Sequence, residues 1–415
     1  MDRRKFLRLA ALAGGLGLAP SLLRSALGSS SPAGLPPKPR PPPQIPEEIP
    51  PVIADPVLRV AQWYDYWPGS VLANFQSYVA STYGVTVTVA QDIYTSNEEL
   101  YAWMTQAGRR YDVVFPTQHA AERMWREGLL RPIEPALVPN LSNLFPEYVS
   151  PAWALDRKGN RFAAPYQAGT TGVAFRTDKG WTTADVEGLG WDLLWTDLLG
   201  GTSLVDKAMA LADLRDLLGM GLKKEGFDAT GTALVSEGQW SLSTADLGQL
   251  GAARDSLLAR KPSWFTIESV NAGPFLANEI VYAAEIWSGA ALYAIRPYTT
   301  SPQPIDFVHP KQGFPRWVDS ACIPATTGNA FLAHVFVNYL LDAAVGARIT
   351  DWNLHATPNA AAYDLLTAYP NGWDPRLDSR IYPDATTLAR GEFARSLPSE
   401  VETAYLQAYN DVVYG

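Results

Sequence analysis

The sequence predicts an α/β protein, and two features of the chain favour that fold class. From Leu58 onward, short apolar segments typical of strands alternate with segments whose apolar residues recur at helical spacing. This alternation is typical of a parallel, doubly wound sheet with helices on its faces. Several of the apolar segments also end in polar or aromatic residues, and ligands on such sheets bind at the carboxyl ends of strands. We therefore expect a ligand site assembled from strand ends.

The expected elements follow one another from residue 58 onward. Strands are expected at 58–61, 85–89, 111–116, 171–175, 204–206 and 279–287, and helices at 71–79, 97–104, 120–127, 208–218 and 329–351. Ser96 and Glu99 have the spacing of a capping box, which predicts that the second helix begins beside them.

The composition limits the kinds of partner and cofactor. The chain has 415 residues, enough for two domains, with a formal net charge of −9 and no basic tract outside the N-terminus. We therefore expect no nucleic-acid partner. Cys322 is the only cysteine, which excludes an internal disulfide and a cysteine-based metal cluster. The 14 Trp and 19 Tyr residues indicate aromatic-lined binding surfaces, although such residues also fill cores.

The first 56 residues are predicted to lie outside the fold. Residues 1–28 combine Arg3-Arg4-Lys5-Phe6-Leu7 with an apolar run of small residues, which predicts a twin-arginine signal peptide. An ordinary secretory signal that carries two arginines is the alternative, and cleavage or retention of the segment stays open. Residues 29–56 contain 11 prolines, which predicts an extended, exposed linker that is not packed. We expect the folded part to begin near Val57.

No pattern of catalytic or metal-binding residues stands out in the sequence. The four histidines, His119, His309, His334 and His355, form no close ligand pair. The chain also lacks the Gly-x-Ser-x-Gly nucleophile motif and the glycine-rich loop that binds phosphates. We expect His334 to be a hydrogen-bonded core residue on the apolar face of a helix. The sequence therefore predicts a non-catalytic protein without a metal or a cofactor.

A predicted strand that contains Arg316-Trp317-Val318-Asp319-Ser320 carries a pair of residues suited to a cation. Side chains alternate along a strand, so Trp317 and Asp319 are expected on the same face. An indole attracts a cation, and a neighbouring carboxylate neutralises the charge and accepts its N–H groups. The alternative is a core tryptophan beside an aspartate that caps a turn.

Several short segments resemble the spermidine/putrescine-binding proteins that serve ABC importers. The segments are Gln62-Trp63-Tyr64-Asp65-Tyr66, Tyr94-Thr95-Ser96-Asn97-Glu98, Tyr111-Asp112-Val113-Val114-Phe115-Pro116-Thr117, Ile286-Trp287-Ser288-Gly289, Trp317-Val318-Asp319-Ser320, Thr357-Pro358-Asn359 and Ile381-Tyr382-Pro383-Asp384-Ala385. The resemblance runs from about Leu58 to Phe393 and implies an α/β, two-lobed periplasmic-binding-protein fold with a ligand cleft between the lobes. By position it implies that residues 57–169 and 319–363 form lobe 1 and that residues 170–318 and 364–415 form lobe 2.

The same resemblance implies a set of ligand-binding residues. The aromatic box would consist of Trp63, Tyr66, Trp287 and Trp317. Asp319 would hold an ammonium group, Thr117 would contact a terminal amine, and Asp206 would supply a carboxylate at one end of the cleft.

The chain also departs from the family pattern at several of these positions. Met209 stands where the family has a second acidic residue, and His119 and His355 stand where tyrosines are usual. We expect both histidines to be loop residues that contact the ligand. Glu285 is a candidate to replace the lost carboxylate, or alternatively a solvent-facing strand residue, and Tyr64 and Met209 are further candidates.

The resemblance implies a function in transport. The chain is expected to be a periplasmic or extracytoplasmic, monomeric protein that captures a polyamine for an ABC permease in the inner membrane. One alternative is the same fold binding a quaternary or other cationic amine such as choline. An aromatic cage with fewer carboxylates can hold a quaternary ammonium, because that group has no N–H donors to satisfy. A second alternative is an enzyme exported by the twin-arginine route.

Overall fold

The computed structural model describes Ile49, residues 51–227 and residues 240–415. The predicted signal at 1–28 and the predicted linker as far as residue 48 lie outside the described residues. Most of the described residues at the end of the predicted linker are exposed, and a few of them contact the fold. Ile49 and Ile53 are partly buried against a hydrophobic core, and the backbone oxygen of Asp55 accepts a 2.8 Å hydrogen bond from the Asn329 side chain. Two apolar side chains in a proline-rich segment therefore attach it to the folded body before Val57.

The regular elements alternate strands and helices. The strands are β1 (Val57–Trp63), β2 (Thr88–Tyr94), β3 (Val113–Val114), β4 (Leu130–Arg131), β5 (Ala164–Arg176), β6 (Leu198–Leu199), β7 (Thr202–Ser203), β8 (Ala208–Ala210), β9 (Thr266–Ile267), β10 (Ala283–Trp287), β11 (Ile305–Val308), β12 (Phe314–Ala321), β13 (Ile323–Pro324) and β14 (Gly391–Phe393). The helices are α1 (Gly69–Tyr83), α2 (Asn97–Thr105), α3 (Gln118–Arg126), α4 (Pro146–Val149), α5 (Thr183–Leu189), α6 (Leu214–Glu225), α7 (Leu247–Arg260), α8 (Ala272–Ala277), α9 (Ser288–Ile295), α10 (Ala330–Leu340), α11 (Ala343–Asn353), α12 (Ala360–Leu365), α13 (Ala385–Leu388) and α14 (Ser399–Tyr414).

The first sheet is parallel, as the alternating pattern predicted. Its strand order is β2-β1-β3, and Val60 of β1 pairs with Val113 of β3. A single bridge between Val114 and Cys322 continues the pairing toward the segment that follows β12. Val60, Val114 and Cys322 are fully buried in one hydrophobic core, which we call the first core. The one cysteine is therefore a core residue.

The second sheet is mixed rather than parallel. Its strand order is β14-β12-β5-β10-β8-β9, and β11 also pairs with β5. The central strand β5 runs antiparallel to β10, β11 and β12, whereas β8 runs parallel to β10 and β9. Two further hydrophobic cores pack against this sheet, and one of them includes Tyr405 and Val412 of the C-terminal helix α14.

Strands β5 and β12 connect the first core with the other two. Along β5, Tyr166 and Ala168 belong to the first core, whereas Phe175 belongs to the second. Along β12, Val318 belongs to the first core and Phe314 to the second. The fold is therefore the two-lobed α/β type, with a pair of strands crossing between the lobes. The predicted lobe boundaries, at 169/170 and 318/319, fall inside these crossing strands and stay predictions.

Two stretches of the predicted secondary structure are wrong. The strand predicted at 204–206 and the helix predicted at 208–218 are replaced by β8 at Ala208–Ala210 and α6 at Leu214–Glu225. The apolar residues at 208–211 fit either element. The helix begins only after Asp213, whose side chain accepts hydrogen bonds from the N–H groups of the first turn.

The long helix predicted at 329–351 is two helices, α10 and α11, bent by 69° at their junction. Asp342 accepts hydrogen bonds from the backbone N–H groups of Ala344 and Val345, which starts a new helix at that point. His334 on α10 is hydrogen-bonded as predicted, through Nε2 to the N–H of Glu134 and through Nδ1 to the oxygen of Ala330.

Candidate ligand-binding site

Asp319 lies where the crossing strand β12 meets the end of the first sheet. Its carboxylate accepts a 2.8 Å hydrogen bond from Thr117 Oγ1 and a second hydrogen bond from Tyr66 Oη. Thr117 is itself fixed by Asn97, which donates a 3.0 Å hydrogen bond to its hydroxyl and accepts a 3.0 Å hydrogen bond from its backbone N–H. The structure therefore brings Tyr66, Thr117 and Asp319 together, although they are far apart in sequence.

Asp319 is buried near another acidic residue. Its side chain is only 4% exposed. Burial raises the pKa of Asp319 to about 7; the hydrogen bonds from Tyr66 and Thr117 act in the opposite direction, and the carboxylate of Asp213 raises the pKa further. A buried carboxyl group held by neutral hydroxyls is complementary to a cation that enters beside it.

Asp213 and Asp216, at the beginning of α6, are residues that the sequence reasoning missed. Asp216 accepts a 2.7 Å hydrogen bond from the indole N–H of Trp287 and a 2.8 Å hydrogen bond from Thr171 Oγ1. Burial raises the pKa of Asp216 to about 8, with further contributions from Asp213 and Asp319. The missed signal was the Asp-x-x-Asp spacing directly after an apolar strand, which the incorrect helix boundary at 208 obscured.

The structure places Asp206 away from this group, which corrects the sequence prediction. Asp206 is exposed and precedes β8, with a backbone φ of 57°. Because Ala208 pairs in parallel with Ala283, Asp206 lies level with Val281, six residues before Trp287. At the usual rise of a strand these six residues span about 20 Å. Asp206 therefore lies at the amino end of the strands, and the site lies at their carboxyl ends.

Met209 and Glu285 are both buried in the second sheet. Met209 is fully buried in a hydrophobic core, so it is a packing residue rather than a replacement for a carboxylate in the cleft. Glu285 is also fully buried, so the alternative of a solvent-facing residue is wrong. It accepts a 2.9 Å hydrogen bond from the N–H of Leu211, and burial followed by the charge of Asp216 raises its pKa well above the usual range.

Two tryptophans from different strands approach each other beside the carboxylates. Trp63 ends β1, Trp287 ends β10, and their ring centroids are 6.3 Å apart in an edge-to-face arrangement. The indole N–H of Trp63 donates a 2.9 Å hydrogen bond to the backbone oxygen of Phe115. Tyr64 is 41% exposed, so its side chain lies at the surface of the molecule.

Trp317 lies across the neighbouring strand β5. A Cβ atom built on Gly169 would lie only 2.3 Å from Cζ2 of Trp317, so the close approach of the ring requires glycine at that position. Trp317 pairs with Gly169 and Asp319 pairs with Gln167 in the antiparallel register of β12 and β5. The ring of Trp317 also contacts His355, with centroids 4.9 Å apart.

The two histidines of the predicted site are buried and neutral. His355 lies in the loop after α11, as predicted, and burial lowers its pKa to about 3. His119 is the second residue of α3 rather than a loop residue, because the helix begins at Gln118, earlier than its apolar pattern indicated. Burial, followed by the positive charges of Arg215 and Arg123, lowers the pKa of His119 well below its usual range. Neither imidazole therefore adds a positive charge to the site at neutral pH.

The assembled site suits a small cation with apolar parts. It contains two buried carboxyl groups from different elements, Asp319 of β12 and Asp216 of α6, and the indole of Trp287 is hydrogen-bonded to the second. Glu98 of α2 adds a further acid, whose pKa is raised to about 8 by burial and by Asp213. Burying several carboxyl groups near one another is costly unless a cation binds among them.

Comparisons with known proteins identify the family of the chain. The family described as "Bacterial extracellular solute-binding protein" matches residues 72–371. The spermidine/putrescine-binding periplasmic protein of Escherichia coli (strain K12) is 29% identical over 334 residues, which are 80% of this chain and 84% of that protein. The putrescine/cadaverine-binding protein of Pseudomonas aeruginosa is 26% identical over 361 residues, covering 86% of this chain and 93% of that protein.

Solved structures show the same fold. A putative spermidine/putrescine ABC transporter from Listeria monocytogenes superposes with a TM-score of 0.73 at 25% identity, covering 87% of this chain and all of that one. The structure of the Tp0655 (TpPotD) lipoprotein of Treponema pallidum gives a TM-score of 0.67 over 86% of this chain at 23% identity. The chain belongs to the bacterial extracellular solute-binding proteins, a family of binding proteins rather than enzymes, and within it is similar to the spermidine/putrescine-binding proteins of ABC transporters.

Proposed function

We propose that this protein is the exported binding component of an ABC importer and that it captures a short protonated polyamine, such as putrescine or spermidine. The observation that carries the proposal is the pair of buried carboxyl groups, Asp319 and Asp216, each held only by neutral hydrogen-bond donors. Each has a pKa raised by burial, and the charge of Asp319 contributes to the raised pKa of Asp216. An alkyl diamine supplies one ammonium group for each carboxylate. Each ammonium group offsets the free-energy cost of burying a charged carboxylate.

The aromatic residues of the site suit the methylene groups of such a ligand. Trp63, Trp287 and Trp317 offer apolar faces to methylene groups and attract the ammonium groups beside them. Each contact of this kind contributes roughly 0.5–2 kcal/mol.

Capture is proposed to occur by closure of the two lobes, residues 57–169 with 319–363 and residues 170–318 with 364–415. Contacts across the proposed boundary support this mechanism. Arg395 Nε donates a 3.1 Å hydrogen bond to Glu122 of α3, and Gln118 Nε2 of the same helix donates a 3.1 Å hydrogen bond to the backbone oxygen of Ala394. The closed form would then be presented to a membrane permease.

The names of the relatives support export. The Escherichia coli and Haemophilus influenzae relatives are periplasmic proteins by name. We propose that this chain likewise works outside the cytoplasm and that residues 1–28 direct it there by the twin-arginine route.

The same geometry favours a protonated amine over a quaternary ammonium such as choline. The sequence indicated a loss of carboxylates, whereas Asp213, Asp216 and Glu285 lie together near Trp287. A quaternary ammonium has no N–H groups, so it would donate no hydrogen bond to the remaining acceptor sites of these buried carboxyl groups.

Binding of purified protein to putrescine, spermidine and choline by calorimetry tests the proposal. Saturable binding of a diamine, lost in Asp319→Asn and retained in Asp206→Asn, is the expected result. Removing one partner of a buried charge pair costs about 2–5 kcal/mol or more, so Asp319→Asn should weaken binding by at least about 30-fold. Binding of choline alone, or unchanged diamine affinity in Asp319→Asn, would overturn the assignment.

A further inference from the structure

We infer that the ligand carries a neutral hydrogen-bond acceptor, a hydroxyl or an amide carbonyl, close to the ammonium group held by Asp319, and that Gln167 recognises it. This inference rests on the proposed amine-binding function and narrows its ligand from simple alkyl diamines to amines that bear such a group.

Gln167 is placed in the site by its strand pairing. It lies on β5 directly opposite Asp319 of β12. Directly opposed residues of antiparallel strands project from the same face of a sheet, so Gln167 shares the face of Asp319. The neighbouring pair, Gly169 and Trp317, lies two residues along on that same face, where the indole crosses the bare glycine.

The side chain of Gln167 is fully buried, yet neither Nε2 nor Oε1 has a hydrogen-bond partner in the part of the chain that the structure describes. A buried amide without partners is strongly unfavourable, and such groups in folded proteins are nearly always satisfied. An apolar residue of similar volume would avoid this cost. A polar residue at this position is therefore explained by a ligand group that pairs with it.

The indole N–H of Trp317 differs in its hydrogen bonding from those of the other two tryptophans of the site. The indole N–H groups of Trp63 and Trp287 are hydrogen-bonded to Phe115 and Asp216. The indole N–H of Trp317 is buried without a partner among the described residues. Its ring atom Cε2, which is bonded to Nε1, would lie 3.0 Å from a Cβ atom on Gly169, so this N–H lies beside β5, the strand that carries Gln167.

Two donors without partners, Gln167 Nε2–H and Trp317 Nε1–H, therefore lie on one face of the crossing strands. A fully protonated alkyl diamine consists of N–H donors and methylene groups, and it offers these donors no acceptor. A hydroxyl or an amide carbonyl offers an acceptor, and its O–H or N–H can in turn donate to Gln167 Oε1. The arrangement thus selects an amine with a polar substituent over a plain diamine.

The test compares three diamines by calorimetry: putrescine, 2-hydroxyputrescine and ornithinamide, whose carboxamide is attached to the carbon that bears one of its two ammonium groups. Each is titrated into the purified protein, into Gln167→Met, which keeps the length of the side chain without its hydrogen bonds, and into Asp319→Asn. We expect the unaltered protein to bind one of the two substituted amines at least about tenfold more tightly than putrescine. In Gln167→Met that preference should fall to about twofold or less. Unchanged thermal unfolding of the variant verifies its fold.

The outcomes separate this inference from the function on which it rests. Tighter binding of the hydroxylated diamine points to a hydroxyl substituent, and tighter binding of ornithinamide points to an amide carbonyl. The inference is wrong if putrescine binds as tightly as the two substituted amines and Gln167→Met changes none of the three affinities. In that case, loss of binding in Asp319→Asn would still support the proposed function. If the unaltered protein binds none of the three amines, the proposed function fails and the inference fails with it.

Discussion

Trp63 and Trp287 meet edge to face with their centroids 6.3 Å apart, although β1 and β10 belong to different sheets. Each indole is oriented by its own N–H group, the first by the backbone oxygen of Phe115 and the second by Asp216. The aromatic walls of the site are thus held by hydrogen bonds to different parts of the fold. Relative movement of those parts is expected to separate the two rings and to open the site.

Replacement of Asp216 should distinguish diamines from monoamines. In Asp216→Asn the second carboxylate charge of the proposed site is lost, while the amide can still accept the hydrogen bond from Trp287. We expect putrescine affinity to fall by about 30-fold or more and butylamine affinity to change by less than about threefold. Asp206→Asn is the matched control, because that carboxylate lies at the other end of the strands. An equal loss for both ligands would contradict a role for Asp216 in binding the second ammonium.

A side chain at position 289 should interfere with His355. A Cβ atom built on Gly289 would lie 2.2 Å from Nδ1 of His355, which is closer than any allowed contact. We expect Gly289→Ala to displace the imidazole from Trp317 and to weaken ligand binding by about tenfold or more, as measured by calorimetry. Gly251→Ala is the control, because that glycine also lies in a helix and has nothing within 4 Å of the added atom. The double variant Gly289→Ala/His355→Ala should recover part of the affinity, and its failure to do so would argue against this contact.

The raised pKa values of Asp319 and Asp216 predict how stability depends on pH. Burial raises these pKa values to about 7 and about 8, above the ordinary value near 4. Between about pH 4 and pH 7 the folded protein therefore holds more protons than the unfolded chain, so its stability should fall as the pH rises through that range. Ligand ammonium groups favour the ionised carboxylates, so the stabilisation by putrescine should grow over the same range.

Thermal unfolding at about pH 5 to pH 8, with and without putrescine, measures both trends. Asp216→Asn removes one of these titrating groups and should reduce the slope of stability against pH. A ligand-free protein that becomes more stable from pH 5 to pH 8 would show that these two groups do not control the dependence.

Removal of the cap at Asp342 should destabilise the second helix of the α10–α11 pair. Its carboxylate accepts hydrogen bonds of 2.9 Å and 3.2 Å from the N–H groups of Ala344 and Val345. We expect Asp342→Ala to lower the free energy of unfolding by about 0.5–2 kcal/mol, measured by urea denaturation. Asp342→Asn, which also caps helices, should stay within about 0.5 kcal/mol of the unaltered protein. Equal losses in both variants would indicate that charge, and not capping, is responsible.

The sequence by itself determined the elements whose local signals agree. Alternating apolar strands predicted the α/β class, and Ser96 predicted the start of α2, where its hydroxyl accepts a 3.1 Å hydrogen bond from the N–H of Glu99. The second bond of the capping box was not found, because the Glu99 carboxylate accepts from the N–H of Thr95 instead. Trp317 and Asp319 were recognisable from their alternation on one strand, since that alternation depends only on the pleat of the backbone.

Only the tertiary structure decided which side chains share the site. Asp206 and Asp216 are both acids near a predicted strand, and only the parallel pairing of β8 with β10 places the first at the wrong end and the second beside Trp287. The break at Asp342 and the antiparallel position of β5 were likewise not visible in an apolar pattern. Helical and strand periodicities report which face of an element is buried, but they do not report against which other element it packs, because that depends on contacts between residues far apart in the chain. Gln167 illustrates the limit: its sequence neighbours are unremarkable, and only its position opposite Asp319 makes it a candidate for ligand recognition.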